Sequence, residues 1–253
     1  METLTFFDCN CSFGMRSIVN PGSFWKLEDL LDHMDRYGIG KALVWHSMSR
    51  EYSPAVGNKM LLDEIKDHPE LLPVWTVMHH HTGEMPEPEE LINEMKKNGI
   101  RTVNMFPSMA DQGYSLAEWN CGELFAALEK YNVPLFLGLE QLVSQNELYE
   151  ICVNHPGLKI VLTNVNYRID RNIYALFKKC GNLRMETYGY KVHSGIEEIC
   201  SNFGADRLIF GSGMPVYSGG AAVAPVIYAR ISRKEKEMIA GRNLEELLGG
   251  VAF

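Results

Sequence analysis

A chain of 253 residues with 46% hydrophobic residues and no low-complexity tract has the size and composition of one globular domain, which excludes a disordered chain. A net charge of −8 and a pI near 5.5 argue against nucleic acid as a partner, because phosphate binding relies on clustered Lys and Arg. No stretch approaches the roughly 18 uninterrupted apolar residues of a membrane span, and the start lacks the basic and apolar regions of a signal peptide. A cytoplasmic protein with no membrane partner is expected.

Strand and helix signals alternate along the whole chain, the pattern of βα units and a parallel sheet. A strand at 4–14 comes first. Pro21-Gly22-Ser23 then breaks the chain, and Trp25, Leu27, Leu30, Leu31 and Met34 recur at helical spacing until Gly38. A second strand is read at 41–47 and a helix at 54–67. LLPVWTVMH (71–79) is the third strand, followed by a helix at 86–97 and a fourth strand at 101–107. The irregular segment 108–115 is long enough to be a substrate lid. Further strands at 134–140, 159–165, 183–189 and 207–215 alternate with helices at 116–131, 142–154, 170–180 and 193–203. Helices near 219–231 and 234–248 end the chain. This count makes a single-domain (β/α)8 TIM barrel over 1–253, with an extra C-terminal helix.

The six cysteines, at 9, 11, 121, 152, 180 and 200, lack the spacing of a disulfide framework, so reduced, buried thiols are expected. His68-Pro69 and His155-Pro156 each end a helix before a strand, where an imidazole caps the last carbonyls and Pro stops the helix. The basic run RISRKEK at 230–236 contains a glutamate and reads as the start of a solvated helix.

The first strand, LTFFDCNCSFG, matters most for chemistry. Side chains alternate across a strand, so Asp8, Asn10 and Ser12 are assigned to the barrel mouth, and Phe7, Cys9 and Cys11 to the helix side. The frame of Asp8, Asn10, Ser12 and Gly14 resembles the Asp-x-His-x-His opening of the amidohydrolase superfamily, in its branch of small hydrolysing or decarboxylating barrels. Segments 98–107, 131–138, 155–164 and 204–215 resemble its fourth, fifth, sixth and eighth strands in the same order.

The resemblance implies a metal-bearing mouth acting on small carboxylated or lactone-like substrates. Carried over residue by residue, the first-strand histidines fall on Asn10 and Ser12, and the fourth-strand polar residue near Asn104. The fifth- and sixth-strand histidines fall on Gly138 and Asn164, and the eighth-strand aspartate falls on Gly213. Neutral amides and hydroxyls are weak ligands for zinc and its relatives, so the expectation is replaced metal ligands, no metal and no cofactor. Any chemistry would then be metal-free, with a silent binding barrel or a regulatory subunit as the alternative.

Polar residues expected at the mouth also include Arg16, His46, His79, His80, His81, Glu140, Asn166, Glu186, Tyr188 and Tyr217. Of these His46, His79 and Glu140 are the catalytic candidates, since imidazoles and carboxyls move protons. Asn10, Ser12, Arg16, Asn104, Asn164, Glu186 and Tyr188 are the candidate substrate contacts. His79 and His81, on one face if the strand continues, could join Glu140 or Glu186 in a relocated metal site. A small molecule is the expected partner, and a second copy of the chain is left open.

Overall fold

The computed structural model describes residues 4–253. Its strand segments are β1 (Phe6–Phe13), β2 (Ile39–His46), β3 (Leu71–Pro73), β4 (Trp75–Thr76), β5 (Val103–Met105), β6 (Leu135–Gly138), β7 (Ile160–Thr163), β8 (Leu183–Glu186) and β9 (Leu208–Ile209). All pairings are parallel, in the order β1-β2-β3 and then β4 through β9.

The two sheets are continuous. Between β3 and β4 lies only Val74, whose N–H donates to Val44 O at 2.8 Å, while Trp75 N–H reaches Thr102 O at 3.3 Å. At the other seam Cys9 N–H donates to Phe210 O (3.0 Å), Gly213 N–H to Asn10 O (3.0 Å) and Ser12 N–H to Met214 O (2.9 Å). With β3 and β4 as halves of one strand, the barrel closes as a (β/α)8 fold.

The surrounding helices are α1 (Leu27–Tyr37), α2 (Ser47–Glu51), α3 (Pro54–Ile65), α4 (Pro88–Lys97), α5 (Glu118–Lys130), α6 (Gln145–Asn154), α7 (Asp170–Lys179), α8 (Gly195–Phe203), α9 (Gly219–Tyr228), α10 (Arg233–Glu237) and α11 (Asn243–Gly249). Local signals place their ends. Gly38 terminates α1 at φ 70°, a left-handed geometry that glycine adopts without steric cost, and Pro54 opens α3 where no N–H is needed. The short helix α2 is unforeseen in the sequence: His46 ends β2 and accepts Met48 N–H on Nδ1 at 3.1 Å, capping a turn. Between α10 and α11, residues 238–242 widen into a π turn, and the Ile239 carbonyl there accepts Phe210 N–H at 3.0 Å. Among the described residues no helix is long and apolar enough to cross a membrane.

The apolar side chains form two layers. Phe7, Cys9, Leu43, Trp45 and Phe136 pack inside the barrel, over Leu244, Leu247 and Leu248 of α11. Phe6, Cys11, Phe13 and most other strand residues pack outward against the helices. This corrects the expected faces of β1. Its pairing with β2 shifts between Asp8 and Cys11, so a bulge interrupts the alternation. Phe7 and Cys9 therefore enter the barrel interior, and Asp8 does not reach the mouth. Instead Asp8 Oδ1 accepts the N–H groups of Asn10 (2.9 Å) and Ser212 (3.0 Å), fastening the bulge to the closing seam. Burial raises its carboxyl above the usual range. All six cysteines are free and buried.

Polar side chains in this core satisfy backbone groups. Asn182 Nδ2 is shared among the carbonyls of Cys152 (3.2 Å), His155 (3.0 Å) and Leu158 (2.9 Å), joining the end of α6 to the approach to β8. Asn182→Ala removes a donor shared by three carbonyls, of which His155 O keeps the Leu158 N–H at 3.1 Å, and the expected cost is about 1–3 kcal/mol, read by urea denaturation. The expected imidazole cap at His155 is corrected: its ring turns to the carboxylates of α5, with Nε2 3.0 Å from Glu118 and Nδ1 3.3 Å from Glu129, and only its backbone N–H closes α6, on Ile151 O.

Candidate functional site

At the C-terminal ends of the strands, a cleft of about 270 Å³ is lined by Asn10, Ser12, Arg16, Trp45, Arg50 and Asn164, among others. Its floor carries a chain of polar contacts that begins on β8. Leu183 and Met185 of that strand pack outward, so the alternate residue Glu186 faces the interior and is wholly buried. The Asn10 amide Nδ2 lies 3.2 Å from each Glu186 oxygen and 3.2 Å from Asn164 Oδ1. Asn164 donates its backbone N–H to Glu186 Oε2 at 2.8 Å and its Nδ2 to Glu140 Oε1 at 2.9 Å. Residue 164 sits at φ 51°, a left-handed conformation that Asn tolerates better than most residues.

Burial pushes the Glu186 carboxyl up to about 8; the Asn164 N–H and the Asn10 amide oppose the shift, while the charges of Asp8 and Glu140 reinforce it. At neutral pH it is an acid that keeps its proton. Glu140 is exposed at the rim, and its carboxylate folds back over Gly138, where an added Cβ would lie 2.6 Å from both oxygens.

The walls hold cations and rings. Arg50, on α2, makes a bidentate pair with Asp111 at 2.6 and 2.9 Å. Asp111 also accepts from Ser108 Oγ and Gln141 Nε2, both at 2.9 Å, so the segment 108–115 expected as a lid is fastened behind Arg50, which lines the cleft. Burial works against the charge on Asp111, yet the bonds from Arg50 and Gln141 hold it below the ordinary carboxylate range. Arg16 contacts Glu51 through Nε at 3.4 Å. Among the described residues its two terminal nitrogens and Arg50 Nη1 make no hydrogen bond, so N–H donors remain. Tyr188 and Tyr217 pack with centroids 4.4 Å apart, and Tyr217 lines the cleft. Both rings lean over Gly213, where a Cβ would meet Tyr217 at 2.8 Å.

The sequence-derived candidates separate into two groups. Asn10, Ser12, Arg16, Asn164 and Glu140 line the cleft, with Glu186 directly below Asn10. Asn104 lies deeper, beside Cys9, Trp45 and Phe136 around a void of about 30 Å³, and its buried Oδ1 has no hydrogen-bond partner among the described residues. His46 and His79 do not line the cleft. His46 caps α2, stands 3.5 Å from Glu64 and is held neutral by burial. The third strand stops at Thr76, so His79 falls in the following loop, stacked on His81 and edge-on to Tyr114. Burial and its neighbouring imidazoles lower the His79 pKa. Sequence reasoning missed Arg50, Asp111 and Gln141, which sit in a helix and a loop with no motif to mark them.

The expectation of a chain without metal ligands is corrected. His80 Nε2 lies 3.2 Å from Glu87 and 3.5 Å from Glu123, and one ligand atom from each falls within 4.8 Å of the others. One imidazole and two carboxylates are a donor set that manganese or zinc accepts. The relocated site expected on His79 and His81 with Glu140 or Glu186 is not the one found: the histidine between them meets the carboxylates, which come from the start of α4 and the second turn of α5, where sequence offers no pairing rule. The same finding removes the ground for metal-free chemistry and for a silent barrel.

A family model described as amidohydrolase matches residues 26–250. The chain belongs to the amidohydrolase family. No curated protein matches it in sequence. Among solved structures, this chain is similar to an uncharacterised TIM-barrel protein from Bordetella bronchiseptica, at 18% identity and a TM-score of 0.74 over 98% of this chain and 99% of that one. It is similar to 2,6-dihydroxybenzoate decarboxylase from Rhizobium at 16% identity and a TM-score of 0.73, over 98% and 99% of the two chains. A third is 5-carboxyvanillate decarboxylase from Novosphingobium aromaticivorans, solved with manganese and 4-hydroxy-3-methoxy-5-nitrobenzoic acid, at 15% identity and a TM-score of 0.73 over 97% and 96%. At these identities the likeness is one of fold.

Proposed function

We propose that this amidohydrolase-family barrel is a metal-dependent enzyme that decarboxylates a small aromatic acid in its mouth cleft. The observation that carries the reading is a pair of arginines in the wall above a buried carboxyl that keeps its proton to about pH 8. Arg16 and Arg50 retain N–H donors for a substrate carboxylate, and the guanidinium fork matches that group. Trp45 and Tyr217 offer flat faces to a ring in the same cleft.

Decarboxylation replaces a C–CO2 bond by a C–H bond, so the site must supply one proton and release CO2. Glu186 holds such a proton under Asn10, and the Asn10–Asn164–Glu140 chain connects it to the rim. His80, Glu87 and Glu123 are the residues that would hold the ion, whose charge would draw their three elements together. Fold relatives that decarboxylate dihydroxybenzoate and carboxyvanillate favour an aromatic acid as the substrate class. The reading takes residues 1–253 as one domain working in the cytoplasm, in keeping with six reduced thiols.

The test is CO2 release from a panel of hydroxybenzoates by chelator-stripped protein, with and without added manganese. Turnover is expected only with the ion. Arg50→Met should raise KM by about 10–100-fold with a smaller change in kcat, because it removes a charge-assisted contact made in both ground and transition state. Absence of saturable binding of any of these acids to the manganese-loaded protein would overturn the proposal.

A further inference from the structure

The three metal-ligand candidates lie outside the cleft: none of them is among its lining residues. They join three separate elements. His80 belongs to the loop after β4, tightened by Gly83 N–H donating to His80 O at 2.9 Å. Glu87 immediately precedes α4, with its side chain turned to His80 rather than to the helix, and Glu123 lies in the second turn of α5.

A second contact runs parallel to the first. His81 Nε2 lies 3.2 Å from Asn120 O, and Asn120 and Glu123 are three apart on α5, so they share one helix face. Two consecutive histidines of one loop therefore meet that same face. His80 is anchored, with 13% of its side chain exposed, whereas Glu87 and Glu123 are 71% and 74% exposed. The loop also touches the mouth wall, through the His79–Tyr114 edge contact and Tyr114 Oη donating to Val77 O at 3.3 Å.

We infer that His80, Glu87 and Glu123 form a divalent-cation clamp on the outer rim, which ties the loop after β4 to the start of α4 and the second turn of α5 and acts on the cleft only by holding its wall. The inference deepens the metal dependence proposed above by placing the ion away from the reacting bond. Two carboxylates and an imidazole leave open coordination positions for water, as expected of a surface clamp for manganese or zinc.

The experiment titrates the full chain, stripped with chelator and without a polyhistidine tag, with MnCl2 and then ZnCl2 by calorimetry, in the absence of substrate. One ion per chain is expected, with a rise in Tm. His80→Ala and Glu123→Gln should each weaken binding on the order of 100-fold and abolish that rise. Glu123 is an exposed helix residue, so its variant reports on the ion even if His80→Ala folds poorly. Glu140→Gln, at the cleft, should leave the isotherm unchanged. No binding of either ion, isotherms untouched by both rim substitutions, or an ion lost with Glu140→Gln and kept in His80→Ala would each overturn the clamp. Binding of hydroxybenzoates, measured separately on the same preparations, tests the cleft reading independently.

Discussion

Glu186→Gln should lower turnover by orders of magnitude while stabilising the fold at alkaline pH. The carboxyl is wholly buried, and its pKa is raised from 4.5 to about 8 chiefly by loss of water. The folded protein thus keeps a proton that the unfolded chain releases once the pH passes 4.5. Across the window from 4.5 to 8, raising the pH favours the unfolded state. The slope is about 1.4 kcal/mol per pH unit, and the contribution is complete below the window and spent above it. Glutamine has nearly the same shape and cannot ionise, so it removes this slope.

The Tm of the variant relative to wild type should therefore climb from pH 5 to 8 and level off beyond. Parallel Tm curves would mean that Glu186 ionises as an ordinary carboxylate. Activity supplies the second readout. Loss of the proton donor should lower kcat by about 10²–10⁴-fold, and wild-type turnover should fall as Glu186 loses its proton near pH 8. A site that costs stability when charged and supplies a proton when neutral links the two measurements.

The second large effect is expected at Gly189, in the turn after β8. Its φ is +77°, and an added Cβ would sit 2.0 Å from the carbonyl oxygen of Val165. That oxygen belongs to the backbone of the turn after β7, so it cannot swing aside as a side chain would. Gly189→Ala should cost about 1–2 kcal/mol for the left-handed conformation and a further ~1–3 kcal/mol for overpacking. Gly22 isolates the first penalty, since it has φ +78° and nothing within 4 Å of the added carbon. Gly22→Ala should lose only the smaller amount in the same chemical denaturation. Equal losses at both positions would show that the two turns separate easily. The turn also carries Tyr188, so residual Gly189→Ala protein should bind aromatic acids more weakly.

Much of the architecture was legible before any coordinates. The alternation of apolar runs with 3.6-residue periodicity marks the strands and the major helices, because each element's burial pattern is written in local sequence. The ends were less legible. The third strand was read through His79 yet stops at Thr76, since the run VMHH has strand-like composition but no pairing partner beyond Asn104. Helix α2 depends on one imidazole accepting Met48 N–H, a cap that propensity does not reveal.

At the site, Asn10, Ser12, Arg16, Asn164, Glu140 and Glu186 could be named from strand ends alone, because barrel strands deliver their last residues to one mouth. Roles were another matter. The raised pKa of Glu186 arises from burial beneath Asn10 and Asn164, which come from strands far apart in the chain.

Strand alternation, helical spacing and the family motifs determined the barrel and its mouth, because each is set by neighbours within a few residues. Only the tertiary structure decided that a bulge turns Asp8 away from the mouth, that Asp111 holds Arg50 in its wall, and that Glu87 and Glu123 converge on His80. Those pairings join residues on different elements, and their geometry exists only once the helices have packed around the closed sheet.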